Sequence, residues 1–490
     1  MIDTEVQQHF REAEHEVERH SGELRKELCL GDIVLSQLTY IVGLTWLGTA
    51  GKLGPEQFMY WIPAVFLFYI PTGIVVVHLN NEMPLEGGLY QWSKLRFGEM
   101  IGFLVALNTW ASIVLLLSSL ISMITDSAAY AAGPSGAWIA SNHLVNSVCA
   151  ALVIGGLMAL AARGLSLAKW IHNSGGFMLL LVFVGLLAFA LPRWIHGNAA
   201  TAPVSFVIPA VNLLNLNIAG KMAFGAFCGL EGCSVFSGEV RDPQVARTLR
   251  RAIWIAGPLI AFIYILGTCC VLAFTRPAEL DLVSPAMEAL SRGSAGTSLG
   301  LIVPAVAAVL LVWSFCASAS IYNNAVVRLP MVAGWDHLLP AWLSRLHPRF
   351  KTPTGSIITV GAASFVLTIL ANSGVGAQEG FQILLNGGII FWALTNMVMF
   401  AIPLFAPGEK PSLGVRAAAL SALGMTLLYV ILAIFPIIDV RNPASFTLKV
   451  VVLILGINGG GAWYFHRASR RRLALALDAE TERLDPCIRP

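Results

Sequence analysis

The chain has 490 residues, and only 12% of them are charged, about half the share of roughly 25% that soluble domains carry. Because 56% are hydrophobic, the lipid bilayer has to solvate much of the chain, which excludes soluble enzymes, nucleic-acid-binding proteins and disordered proteins. The net charge of +3 indicates no polyanionic partner. The eight cysteines lie mostly in apolar runs without CxxC spacing, so neither a metal site nor a disulfide framework is predicted.

Residues 1–28 are polar and mostly charged, and no apolar stretch follows a basic start early enough to form a signal peptide. Beyond them, apolar runs long enough to cross about 30 Å of hydrocarbon recur at near-regular intervals. An even number of runs places both termini on the same side of the membrane. The sequence predicts twelve transmembrane helices, at 31–53, 58–81, 101–130, 142–163, 168–192, 217–238, 252–275, 298–331, 354–373, 380–406, 413–437 and 445–466.

The distribution of Lys and Arg tests this topology independently, because positive charges concentrate in cytoplasmic loops. Most of the 31 basic residues fall in the two tails and the even-numbered gaps, which predicts a multi-pass protein of the cell membrane with both termini in the cytoplasm. We interpret Lys221 as an anchor at the outer interface and His172 as interfacial on the cytoplasmic side. The basic residues assigned to outer loops or outer helix ends are Lys52, Arg193, Lys221, Arg276, Arg292, Arg441 and Lys449.

The first and the sixth run contain glycines in the middle rather than at the ends. The first carries Gly43 and Gly48, and the sixth carries Gly225, Gly229 and Gly232. Glycine weakens a helix by about 1 kcal/mol, and a broken helix at membrane depth is tolerated only where it is buried in protein or lines a watery cavity. Because each of these runs opens a group of five, the pair predicts inverted five-helix repeats with a binding site at the breaks. Close helix packing through small residues is the alternative.

Glu231 is the carboxylate that lies deepest within a run. A charge at the bilayer centre costs about 2.5 to 3.5 kcal/mol on insertion scales, so such residues usually face a partner or an aqueous path. One interpretation of Glu231 is a proton relay or a partner for a substrate amine. The other is a structural carboxyl that accepts hydrogen bonds from backbone N–H groups freed by the break.

Four separated segments carry recognisable motifs. They are Glu86–Trp92 with Phe97–Gly98 and Gly102–Phe103; Phe227–Glu231 with Gly238–Pro243; Arg328 with Trp335–Pro340 and His347–Pro353; and Asp32 with Ile41–Leu47. These segments resemble the amino acid, polyamine and organocation (APC) superfamily of permeases, and the last motif departs from the family pattern because Thr45 replaces a glycine.

The resemblance implies an all-α integral membrane fold of twelve transmembrane helices, with a five-plus-five inverted repeat (LeuT-like fold) and broken helices 1 and 6. It also implies alternating access to a central site of amino-acid size. The implied parts of the chain are a cytoplasmic polar N-terminal tail, 1–28; the first repeat, with helices 1–5, 29–192; the second repeat, with helices 6–10, 193–406; helices 11 and 12, 407–466; and a cytoplasmic basic C-terminal tail, 467–490.

The resemblance also assigns roles to residues at the breaks. Backbone N–H groups near Gly43, Leu44 and Thr45 suit a substrate carboxylate, and carbonyls from Phe227 to Gly229 suit an ammonium group. No catalytic residue, metal ligand or cofactor is expected. The expected substrate-binding residues are Ile41, Gly43, Leu44, Thr45, Phe227, Gly229 and Glu231.

The sequence leaves the coupling ion open. Some family members carry a lysine in the fifth helix, but the matching stretch 170–178 has none. Proton symport through Glu231, substrate exchange, and a sodium site at Ser318 and Ser320 with carbonyls of the first helix are the alternatives. On the cytoplasmic side, we expect Glu239 to contact an arginine and to release it as the protein opens inward.

These observations predict a secondary active transporter that moves amino acids by alternating access, through proton symport or exchange. An enzyme is excluded, since the runs contain no HExxH, P-loop, nucleophile elbow or paired acids. A polyamine or amine permease and a non-transporting amino-acid sensor of the same fold are the alternatives. The expected partners are the amino acid and the lipid bilayer, with no nucleic acid, and a proton is one candidate for the coupling ion. Nothing in the sequence fixes the oligomeric state.

Overall fold

The computed structural model describes residues 26, 28–83, 88–163, 165–207, 210–232, 234, 240–327, 329, 339–348, 350, 352–371, 377–406, 410–438, 440 and 442–484. The regular structure in this part is almost entirely helical, and its two β-bridges, Leu28 with Val240 and Leu346 with Pro353, are isolated. A helix suits a lipid-solvated chain because each backbone N–H and C=O pairs within its own segment. The predicted Glu239 contact and most of the N-terminal tail lie outside the described residues.

The helices are numbered along the described chain. A π-helical segment at Ala64–Tyr69 joins α3 to α4, and another at Lys221–Gly225 continues α10. The helices are α1 Leu30–Ile41, α2 Thr45–Gly51, α3 Gln57–Pro63, α4 Ile70–Glu82, α5 Leu89–Phe97, α6 Glu99–Ala131, α7 Ala137–Ser141, α8 His143–Arg163, α9 Leu165–Ile195, α10 Leu213–Gly220, α11 Val245–Leu272, α12 Pro285–Ser294, α13 Ile302–Val326, α14 Ala341–Ser344, α15 Thr354–Ala371, α16 Ala377–Phe405, α17 Leu413–Ala433 and α18 Pro443–Leu484.

The predicted multispan helical fold is confirmed. Within the described residues, 10 helices are long and apolar enough to cross a membrane, and α1 with α2, bent by 52°, makes an eleventh if the pair counts as one span. The ninth predicted run forms a shorter apolar helix, Thr354–Leu370. The number twelve therefore stays a prediction, as do the division into two repeats and the side of the membrane on which the termini lie.

The long helix α6 forms much of the interior, where it packs against α13 and α16. Polar side chains join helices at a few points. Ser118 of α6 donates a hydrogen bond to the Ser364 carbonyl on α15 at 2.9 Å, and Asn108 of α6 donates to Asn458 on α18 at 2.7 Å. Such bonds contribute about 0.6 kcal/mol on average in a membrane, so close packing holds the helices together. The helices α9, α11 and α13 all pack against α1.

Candidate substrate cavity

The first apolar span is interrupted between α1 and α2, and neighbouring helices take up the backbone groups that the interruption frees. The Tyr264 hydroxyl on α11 donates to the Ile41 carbonyl at 2.7 Å and accepts from the Gly43 N–H at 3.1 Å. The Tyr322 hydroxyl on α13 donates to the Tyr40 carbonyl at 2.6 Å. An unsatisfied backbone group in lipid costs several kcal/mol, so these three hydrogen bonds stabilise the interruption.

The sixth predicted run leaves regular helical geometry around Gly229. After the π-helical segment Lys221–Gly225, a turn forms at Cys228 and Gly229. Gly229 has a φ of 117°, a conformation that L side chains rarely adopt, so this turn requires glycine. Residues 233 and 235–239 lie outside the described part of the chain, and a sixth helix that is broken in full stays a prediction.

The two interrupted segments line one cavity. It encloses about 840 Å³ of space, its openings included. None of the described side chains that line it is an acid, a lysine, an arginine or a histidine. Its polar side chains include Thr45, Ser119, Ser314 and Ser318. Its apolar wall includes Trp46, Leu116, Leu120, Phe315, Ile389 and Trp392.

The predicted site residues fall into two groups. Leu44 and Phe227 are buried but do not line the cavity. The Phe227 ring stacks on Tyr69 at a centroid distance of 4.3 Å and packs edge-on against Trp61 at 5.2 Å, so it supports the turn from behind. The predicted residues that do line the cavity are Ile41, Gly43, Thr45 and Gly229. Their contact with a substrate stays a prediction.

Glu231 has 2% of its surface exposed and does not line the cavity. Its Oε1 accepts hydrogen bonds from Trp392 Nε1 at 2.6 Å and Asn396 Nδ2 at 2.8 Å, both on α16. Its Oε2 accepts from the Gly229 backbone N–H at 3.2 Å. The carboxyl thus ties the turn at Gly229 to α16, as the structural interpretation of this residue describes. A coupling role for Glu231 stays a prediction.

Sequence reasoning missed the residues that support the interruption from other helices. Tyr264 and Tyr322 bond to the freed backbone, and Trp392 both lines the cavity and bonds to Glu231. The sequence offered one indication of such a role. A tyrosine or tryptophan that is buried in an apolar run still needs a hydrogen-bond partner for its O–H or N–H group. That signal does not say which partner is found.

The interfacial interpretation of His172 is wrong. His172 on α9 is buried, and its Nε2 lies 3.1 Å from Ser320 Oγ on α13. Ser318 on the same helix donates to the Thr39 carbonyl of α1 at 2.7 Å. Both serines of the hypothetical sodium site therefore have direct protein partners, and a sodium ion that uses Ser318 with this carbonyl has to displace the bond between them.

The interpretation of Lys221 as an interfacial anchor is also wrong, because its side chain is 1% exposed. Its ammonium group donates to Asn386 Oδ1 on α16 at 2.5 Å. No ion pair within the described part of the chain includes Lys221. Since Gly225 and Leu385, close to these two residues along the chain, line the cavity, the bond joins two elements of the cavity wall.

This contact predicts opposite effects for its two partners. Lys221→Met is expected to keep or raise the thermal unfolding midpoint, since an apolar side chain of similar length replaces a buried cation that has a neutral partner. Asn386→Leu is expected to lower stability by about 1–3 kcal/mol, because it leaves the lysine buried without that partner. Thermal unfolding of detergent-purified protein measures both, with the exposed Lys449→Met as control. Equal losses in the two variants would contradict the assignment.

A nearly all-helical chain of apolar spans, with a cavity at the interruptions of its helices, has the architecture of a secondary transporter. The sequence profile of the family described as amino acid permease matches residues 30–457, and the chain belongs to this family. The resemblance to permeases is thereby confirmed. A permease is a transporter and not an enzyme.

The chain is similar to several known proteins. An uncharacterized transporter of Mycobacterium tuberculosis is 28% identical over 382 residues, which cover 76% of this chain and 80% of that protein. The low-affinity putrescine importer PlaP of Escherichia coli is 24% identical over 371 residues, covering 70% and 75%. The crystal structure of MhsT in complex with L-phenylalanine superposes with a TM-score of 0.57 at 16% identity, covering 89% of this chain and 100% of MhsT. This likeness confirms the LeuT-like fold.

Proposed function

We propose that this transporter binds a neutral amino acid with an apolar or aromatic side chain in the cavity and moves it by alternating access. The wall of the cavity carries the proposal. Its polar groups are backbone and hydroxyl groups near the interruptions, the rest is apolar and aromatic, and no charged side chain lines it within the described residues. A zwitterion supplies its own pair of opposite charges, so it needs dipoles rather than counter-ions, and an apolar side chain suits the remaining wall.

The interruptions supply candidate partners for both ends of the zwitterion. Thr45 and the backbone near Leu44 are proposed to bind the carboxylate, and carbonyls from Phe227 to Gly229 are proposed to bind the ammonium group. A carboxylate at the Gly43 N–H has to replace the Tyr264 hydroxyl, which already accepts that hydrogen bond. Thr45 also lines the cavity, so its hydroxyl is a second candidate donor.

A polyamine or simple amine is the second candidate, favoured by the relation to a putrescine importer. A diamine brings two positive charges and needs carboxylates to face them. Glu231 lies outside the cavity lining, and both of its oxygens already accept hydrogen bonds. This arrangement favours the amino acid. A sensor of the same fold would bind the same ligand without flux.

Transport is proposed to run by proton symport or by exchange, in the cell membrane and with both termini in the cytoplasm. If Glu231 couples protons, its contacts suggest how. When either carboxyl oxygen is protonated, the carboxyl loses one of the hydrogen bonds that tie Gly229 to α16. The turn beside the cavity then loosens. Exchange needs no such change at Glu231.

A ligand screen of the purified protein tests this proposal. Apolar and aromatic amino acids are expected to raise the unfolding midpoint and putrescine is not, since a ligand at 100-fold excess over its Kd adds about 2.7 kcal/mol of stability. Flux of the stabilising amino acid into liposomes, with proton or sodium gradients imposed, then distinguishes symport from exchange. Stabilisation by putrescine alone would establish the amine permease, and binding without flux the sensor.

A further inference from the structure

The first turns of α11 carry a cluster of arginines. The segment 241–251 contains four arginines and one aspartate, a net charge of +3. Three of the four, Arg247, Arg250 and Arg251, lie on α11 itself, and their side chains are exposed. The charge distribution predicts that this end of the helix is cytoplasmic. Basic residues are common at such ends, so their number alone indicates no binding site.

The position of the arginines on the helix is more specific. Residues three and four apart are neighbours on a helix surface, so Arg247 adjoins Arg251, and Arg250 adjoins Trp254. Trp254 exposes 57% of its surface, and Phe262 on the same face exposes 53%. Tryptophan side chains in membrane proteins favour the level of the lipid headgroups. The arginines therefore lie about one helical turn, or roughly 5 Å, beyond that level on the aqueous side.

The described residues give this cluster little negative charge. None of the ion pairs among them includes Arg247, Arg250 or Arg251. Arg247 donates to the neutral Oε1 of Gln244 at 2.9 Å. The carboxylate of Asp242 accepts hydrogen bonds from the Gln244 N–H at 2.9 Å and from the Thr248 hydroxyl at 2.6 Å.

The start of α11 adds to the imbalance. Its first turn contains no acid and includes Arg247, although the helix dipole favours negative charge at this end. One carboxylate thus lies near three guanidinium groups. A positive cluster of this kind, placed on the exposed face of a membrane span, indicates a negatively charged partner that lies in the same membrane.

We propose that Arg247, Arg250 and Arg251 bind the phosphate headgroup of an anionic lipid, whose acyl chains lie along Trp254 and the apolar face beyond it. Guanidinium groups suit a phosphate because they donate paired N–H groups in a planar fork. Arg247 and Arg251 are about 6 Å apart along the helix axis, so both reach one phosphate. Clusters of basic residues next to a span are typical of contacts with anionic lipids.

The location of the site on α11 gives the lipid a route to the substrate cavity. The same helix packs against α1 and α2, and its Tyr264 bonds to both sides of the interruption between them. A lipid that holds the first turns of α11 therefore contacts the helix that supports the cavity wall. Lipid binding does not depend on which substrate is carried, so it is tested separately from the proposed function.

Phosphatidylglycerol, added to detergent-purified protein, is the probe for this site. Its affinity is measured from the rise in the thermal unfolding midpoint, with the neutral lipid phosphatidylcholine as reference. The wild type is expected to respond to phosphatidylglycerol alone, and less at high salt. The triple variant Arg247→Gln, Arg250→Gln and Arg251→Gln is expected to bind about 100-fold more weakly, on the order of fivefold for each arginine.

A matched variant and a soluble anion serve as controls. Arg163→Gln, Arg345→Gln and Lys410→Gln together remove the same charge from exposed positions elsewhere on the chain, and this variant is expected to bind like the wild type. Inorganic phosphate is expected to leave the midpoint unchanged. A wild-type response in the α11 variant, or an equal loss in the control variant, would overturn the site. Stabilisation by inorganic phosphate to the same extent would show a site for soluble anions and overturn the lipid.

Discussion

Gly229→Leu is expected to abolish substrate binding while the protein is still produced and inserted into the membrane. The φ of 117° is strained for any L residue, at a cost of about 1–3 kcal/mol. The new Cβ would also come within 2.8 Å of the Tyr40 ring and 3.1 Å of Ile41 Cγ1. Since Tyr40 and Ile41 line the cavity, the leucine has to displace part of its wall. We expect the substitution to weaken the affinity for the substrate by about 100-fold or more, as measured by ligand-induced thermal shifts.

The control for this variant is Gly424→Leu on α17, where nothing lies within 4 Å of the added Cβ. We expect Gly424→Leu to bind and transport like the wild type. Gly229→Ala, which adds the Cβ alone, is expected to fall between the wild type and Gly229→Leu. Uptake at the wild-type rate by Gly229→Leu would place the substrate site elsewhere.

Glu231→Gln is expected to weaken substrate binding about tenfold, since the carboxyl ties the turn at Gly229 to α16. A glutamine keeps an oxygen for Trp392 and Asn396, but its NH₂ group then faces the Gly229 N–H, donor against donor. An unpaired N–H costs about 1–3 kcal/mol and releases the turn that lines the cavity. The Kd and the uptake with and without a pH gradient are the quantities to measure.

The hypothesis of a proton relay makes a different prediction for the same variant. Because glutamine resembles the protonated acid, binding and exchange would persist and only accumulation driven by a pH gradient would disappear. Glu288→Gln is the matched control, a buried carboxyl outside the membrane spans whose pKa is raised by burial. It bonds to the Asp281 N–H and pairs with Arg292, away from the cavity, so its replacement is expected to leave Kd unchanged.

Hydropathy predicted the transmembrane helices because it depends on local composition alone. Among the described residues, every helix that meets the length and apolarity of a span overlaps a predicted run, and the interruption between α1 and α2 falls at the predicted glycine Gly43. The four motif segments, among them the one around Gly229, were sufficient for the family. These features are local in sequence, so they need no knowledge of which helices meet.

Lys221 and His172 show where local reasoning fails. Both lie near the ends of apolar runs, where charged and polar side chains usually reach the interface. Their burial depends on Asn386 and Ser320, which are 165 and 148 residues away along the chain. No pattern around either residue contains that information, and the same holds for the bonds of Tyr264 to the interruption.

The sequence by itself determined that this chain is a multispan helical permease with weak points at Gly43 and Gly229, because hydropathy, glycine spacing and family motifs are properties of short segments. Only the tertiary structure decided what Glu231 and Gln37 face. Both are deeply buried polar residues on interrupted spans, yet one has three donors around it and the other has no partner in the described chain. The difference arises from which helices pack together, since a buried polar group is satisfied by its neighbours in space.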